Sequence, residues 1–204
     1  MNDLRQALSE IHSIRTQVAR GTEFRGYGPA SIALSGILAL TVAAIQAQWM
    51  MRHVSIDFAL WLGVWAGTAG VSVLLTGVET FSRARRVHGG FAREMVLSAV
   101  EQFLPAVMVG FLLTVVLVRV APHESWMLPG LWELIFSLGV FASCRFLPRP
   151  MFGVGVWYLA AGLFCLAQAG AAHVLSPWTM GVPFGVGQLL VAAVLQFGYG
   201  EALE

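Results

Sequence analysis

The sequence predicts an all-α polytopic integral membrane protein, a six-transmembrane-helix bundle with an N-terminal cytoplasmic amphipathic helix. Three observations predict it. The 204 residues are 57% hydrophobic and only 11% charged, with a mean hydropathy of +0.74, where a soluble domain is about a quarter charged. A water-soluble chain with so few charges cannot cover its surface, so much of that surface faces lipid. The apolar text also falls into six runs close to the ~20 residues that a helix needs to cross hydrocarbon. Finally, the arginines cluster in alternate connections between those runs.

Residues 2–20 read as the amphipathic helix. Leu4, Ala7, Ile11, Ile14 and Val18 form a heptad-like stripe, and Asn2 or Asp3 can cap its start. The opposite face carries Arg5, Gln6, Glu10, Arg15, Gln17 and Arg20, whose charges nearly cancel. Such a helix either lies across the cytoplasmic ends of the bundle or self-associates between subunits. Arg25, Gly26, Tyr27, Gly28 and Pro29 then break it and turn the chain into the membrane. The predicted spans are 29–51, 57–80, 96–120, 127–147, 151–173 and 177–198. Gly89 and Gly90 separate the second from the third. Pro148 and Pro150 separate the fourth from the fifth, and Ser176 with Pro177 starts the sixth. The organisation is therefore 1–28 as cytoplasmic helix and turn, 29–198 as the transmembrane domain, and 199–204 as a short cytoplasmic tail.

Arginine gives the orientation. Arg5, Arg15, Arg20 and Arg25, then Arg83, Arg85, Arg86 and Arg93, then Arg145 and Arg149 fall on one side, against Arg52 and Arg119 on the other. Both termini are expected in the cytoplasm, with the bacterial cytoplasmic membrane as the location. Trp49, Trp126 and Trp178 fall at the predicted outer ends, as an interfacial aromatic belt requires. A net charge of +1 offers no field for nucleic acid. Cys144 and Cys165 lie inside apolar runs, as small packing residues.

A polar side chain in hydrocarbon is costly without a partner, so intramembrane polar residues are the candidates for function. Glu133 shares a helical face with Ser137, Val140 and Cys144 and is expected to point into the bundle. With Gln168, Gln188 and Tyr158 it either lines a polar cavity opening outward or makes interhelical hydrogen bonds that only hold the bundle together. Glu101 and Gln102 lie near the cytoplasmic end of the third span. Pro105 cannot donate to the carbonyl of residue 101 and is expected to kink the helix there. This is either an ion or proton site at a helix break or a glutamate paired with Arg93 at the interface. His53, His123 and His173 fall one per outer loop, with Asp57 and Glu124 nearby. Three imidazoles and a carboxylate suit zinc, but no ligand-spacing motif joins them, and no metal or other cofactor is assigned.

Two stripes of small residues permit close helix approach: Ala39, Ala43 and Ala47 in the first span, and Gly63, Gly67 and Gly70 in the second. Each packs inside one subunit or joins two. The run from Gly181 through Pro183 to Gly187 is expected to loosen the outer part of the sixth span. No nucleotide-binding, zinc-protease, serine-hydrolase or dithiol motif is present. In size and span count the chain is similar to the substrate-binding subunits of energy-coupling-factor transporters, a likeness that carries no ligand-specific motif. The leading expectation is a small transporter, channel or membrane-embedded binder of a small solute or ion. The rival is a non-transporting scaffold, sensor or accessory subunit, self-associating through residues 4–18 or the small-residue faces. A membrane enzyme acting on a lipid or quinone comes third.

Overall fold

In an apolar setting a helix satisfies its backbone within one segment, which suits apolar runs of about 20 residues. In the computed structural model, residues 28–52, 57–86, 90–144, 147–172 and 175–200 are described, and no strand occurs among them. The helices are α1 (Pro29–Arg52), α2 (Phe58–Arg86), α3 (Gly90–Val120), α4 (Leu128–Ser143), α5 (Met151–Ala172) and α6 (Trp178–Gly200). A 3-10 segment, Pro122–Met127, leads into α4. All six helical segments, α4 taken together with its 3-10 lead, are long and apolar enough to cross a membrane. The expected N-terminal helix, with Leu4 to Val18, lies outside the described residues.

Boundaries differ from the sequence reading in two places. Helix α2 runs on to Arg86 and α3 starts at Gly90, so Arg83, Arg85, Arg86 and Arg93 stand on helical turns rather than in a loop. The 29 residues of α2 extend about 44 Å, longer than the ~30 Å hydrocarbon layer, so a charged end can continue as helix in water. Helix α4 stops at Ser143, short of the expected residue 147. The last turn tightens there, with the Cys144 N–H bonding the Phe141 carbonyl, and Pro148 beyond it disfavours helical backbone at Leu147. Helix α6 starts as its sequence suggests, with Ser176 Oγ accepting the Trp178 N–H at 3.3 Å.

Neighbours follow the order α2, α1, α6, α5, α4, α3, with α1 on α6 and α5 on α4 as the most extensive pairs. Glycine sets both. A Cβ at Gly36 would lie 2.8 Å from the Gly185 carbonyl, while one at Gly181 would strike Ala43 and one at Gly185 would strike Leu40. Gly130 and Gly162 face each other across α4 and α5, each with a would-be Cβ 2.8 Å from the other's carbonyl oxygen. The run 181–187 therefore does not unwind α6, which stays helical from Trp178 to Gly200. Its glycines trade helix propensity for close approach to α1 and α5.

The core has two parts. One, where α1 and α5 begin and α4 and α6 end, contains Ile32, Val140, Met151, Val154, Tyr158, Ala192 and Leu195. The other, toward the opposite end, joins Ala39 and Ala43 to Trp61, Trp65 and Met180. Trp61 stacks on Trp132 with ring centroids 6.1 Å apart. Trp132 Nε1 donates to Thr114 Oγ1 at 2.8 Å, tying α4 to α3. Trp49 and Trp178, in contrast, are about half exposed at the end of α1 and the start of α6.

Candidate functional site

Helix α4 directs its polar residues inward. Glu133, Ser137 and Val140 recur at one face, and all three are buried, the first two completely. Gly162 makes room for the acid: a Cβ there would come within 3.1 Å of Glu133 Cβ. Tyr158, also fully buried, stands on the same face of α5 as Cys165, two helical turns or about 10 Å away. The rings of Phe136 and Phe184 enclose it, at centroid distances of 4.6 and 5.4 Å. Gly187 of α6 lies against its hydroxyl.

Thus α4, α5 and α6 enclose a column of polar groups in an apolar wall. From the α6 start inward it comprises Thr179, Cys165, Glu133, Ser137 and Tyr158. Cys165 Sγ approaches Glu133 Oε1 at 3.9 Å and the Thr179 carbonyl at 3.6 Å. Ser137 spends its proton on its own helix, donating to the Leu134 carbonyl at 2.7 Å. Glu133 Oε2 and the Tyr158 hydroxyl have no hydrogen-bond partner in the protein, although the two side chains lie within electrostatic reach of each other. An orphaned oxygen of this kind is expensive in a low dielectric, and native proteins leave few of them.

The structure brings together Glu133, Ser137 and Tyr158 and leaves the two glutamines apart. Gln168 is exposed on α5. Gln188 is half-buried, and its Cβ would sit 3.1 Å from a Cβ at Gly36, which turns it toward α1. At the other end of the bundle Glu101 is exposed and Gln102 is half-buried with an unpartnered Oε1. Pro105 is exposed, and α3 continues through it. His123 is exposed, His53 and His173 lie outside the described residues, and among the described residues no group of three metal-ligating side chains occurs.

Two features escaped the sequence reading. One is the pairing of Cys165 with Glu133 and Thr179. Its signal was Pro183, which lacks an N–H for the carbonyl four residues back, at Thr179. The other is Glu79 of α2, whose Oε2 accepts the Ser31 N–H at 3.1 Å at the first turn of α1. Its carboxyl fills the place a Cβ would take on Gly28, so a side chain there would have to push the carboxyl aside. Between these helices runs a groove of about 460 Å³ lined by Ala30, Ser31, Leu34, Leu74, Leu75, Val78 and Glu79.

No protein-family model matches the chain, and neither a curated protein nor a solved structure is significantly similar to it.

Proposed function

We propose that the chain is an integral membrane protein, with both termini cytoplasmic, that binds or moves a small solute or ion through the polar column of α4, α5 and α6. One observation carries this reading. Glu133 is fully buried among apolar helices, and one of its carboxyl oxygens has no partner in the protein. A carboxyl kept only for helix association would be expected to spend both oxygens on neighbouring donors, since each orphan costs about 1–3 kcal/mol. An acid left short of donors in hydrocarbon is better suited to an incoming ligand. The three-helix enclosure and the glycines at 162 and 187 supply the tight walls of such a site. Purified protein in liposomes should show a flux, or a retained small molecule, that weakens in Glu133→Gln. Equal flux and equal ligand content in both proteins would remove the proposal.

A second reading, a scaffold or accessory subunit that self-associates, is favoured by a different observation. Gly63, Gly67, Gly70 and Gly77 share one face of α2, and a Cβ at any of them would meet nothing within 4 Å. Cysteine crosslinking along this face in native membranes separates the readings. Crosslinked dimers together with unchanged behaviour of Glu133→Gln would favour the scaffold.

A further inference from the structure

The column contains more hydrogen-bond acceptors than donors. Cys165 has one thiol proton and two acceptors in reach, Glu133 Oε1 at 3.9 Å and the Thr179 carbonyl at 3.6 Å. Only one can be served at a time. Both contacts are long, and thiols are weak donors. The Thr179 carbonyl has also lost the usual helical partner, because the residue four places on is Pro183, inside α6. Glu133 Oε2 has no donor at all. Ser137 brings none, its proton being held by Leu134. Among the described residues the Tyr158 hydroxyl is the one buried, uncommitted O–H in the column.

A carboxylate beside a helix carbonyl freed by proline forms a set of hard oxygen donors. In transporter bundles, carbonyls released where helices unwind or break coordinate small cations, and a carbonyl deprived of its N–H by proline offers the same free oxygen. Charge decides which kind. Glu133 is the only acid in the column, and a single carboxylate balances a single positive charge. Calcium sites draw on several carboxylates, and magnesium commonly on one or two together with phosphates and water. The thiol that reaches both oxygens is a soft group held by two long contacts, so it can turn aside as an ion enters.

We infer that Glu133 and the Thr179 carbonyl bind a small monovalent cation of the sodium or lithium class, with the Cys165 thiol displaced as the ion enters. This rests on the reading of the column as a binding site and names the ligand it takes. Sequence position supports access: Thr179 lies in the first turn of α6, so the outermost ligand is close to a helix end.

The test is thermal unfolding of purified protein in detergent at fixed pH and ionic strength, with sodium, lithium or potassium chloride exchanged for choline chloride. A ligand that binds only the folded state raises the midpoint. Sodium or lithium at about 100 mM should raise it by about 3 °C or more over choline. Glu133→Gln should abolish the rise, while Glu101→Gln, altered at an exposed site on α3, should retain it. Pro183→Ala guards against a folding artefact, because it returns an N–H to the Thr179 carbonyl. It should raise the midpoint in choline and shrink the sodium effect. The inference is overturned if all four salts give one midpoint, if Glu133→Gln keeps the sodium rise, or if Pro183→Ala leaves that rise intact. Flux of a solute that depends on Glu133 without any salt-specific midpoint would sink the cation and leave the proposed function standing. A midpoint that follows pH but not sodium would assign the site to a proton instead.

Discussion

Helices α1 and α2 both carry a stripe of small residues, and the bundle treats them in opposite ways. On α1, Ala39 and Ala43 are buried, and α6 closes on the helix so tightly that a methyl added at Gly181 collides with Ala43 and one at Gly185 with Leu40. On α2, Gly63, Gly67, Gly70 and Gly77 look onto open space. Trp61 and Trp65 of α2 pack in one apolar cluster with Ala39 and Ala43 at one end of the seam, and two hydrogen bonds fasten α2 to α1. Glu79 accepts the Ser31 N–H near one end, and Trp65 Nε1 donates to Gln46 Oε1 at 3.0 Å near the other. The apolar groove lies between α1 and α2. Small residues therefore mark where backbones are able to meet, and a partner decides whether they do. The α1–α6 seam is joined by close backbone packing, and the α1–α2 seam by one tryptophan cluster and two polar latches, so the two should fail differently.

The largest effect is expected at the packed seam. Gly185→Leu drives a branched side chain into Leu40, where neither helix can retreat without giving up the Gly36 contact. Overpacking of this kind costs about 3 kcal/mol or more, and denaturant or thermal unfolding in detergent should report it as a large loss of midpoint. If Gly185→Leu unfolded like the unmodified chain, the close approach of α1 and α6 would be wrong.

The polar column gives the next effect, with the opposite sign. Glu133→Met removes an orphaned acid and keeps the volume. Replacing buried ionic groups by apolar ones is often stabilising by about 1–4 kcal/mol, and the low end is expected for one carboxyl. The variant should unfold at a higher midpoint and lose ligand binding or flux. A lower midpoint would show that Glu133 is structural glue with partners it satisfies well.

A smaller loss is expected at the latch of α2. Glu79→Ala leaves the first turn of α1 without a carboxyl acceptor, a change comparable to losing a helix cap and worth about 1 kcal/mol. Amide exchange should rise in the first turn of α1 and in the Leu74 to Glu79 segment, with the α1–α6 seam unaffected. Gly28→Ala should mimic it, because the new methyl occupies the carboxyl's place. Protection rising rather than falling in either variant would mean that Glu79 strains the seam instead of fastening it.

How much of this was readable beforehand depends on what each feature required. Six long apolar helices were legible because hydropathy and length are local properties, and six helical segments are long and apolar enough to cross a membrane. The inward face of α4 was legible for the same reason, since Glu133, Ser137 and Val140 follow one helical period. The glutamines were not. Nothing local tells Gln188 to face α1, or Gln168 to stand exposed, because the faces of α5 and α6 depend on neighbours far along the chain. The 181–187 run misled because glycine and proline lower helix propensity, whereas here they let α1 and α5 come close. In sequence Cys165 is one more small residue in an apolar run, since its contacts to Glu133 and Thr179 exist only once three helices have met.

The bare face of α2 gives the smallest effect on the single chain and the sharpest contrast with Gly185. Gly67→Ala adds a methyl where nothing lies within 4 Å. Alanine is the better helix former, by about 1 kcal/mol in water, and a substitution away from neighbours usually changes stability within about 0.5 kcal/mol. In dilute detergent the variant should therefore unfold as the parent does, or slightly later. In membranes at high protein density the result depends on whether another helix covers this face. Where glycines let two α2 helices touch, added methyls at 63, 67 and 70 push them apart, and crosslinking between copies should fall. Where lipid covers the face, crosslinking is absent in both proteins and the methyls make no difference. The same stripe that is silent in one subunit thus becomes the measure of whether the protein works alone.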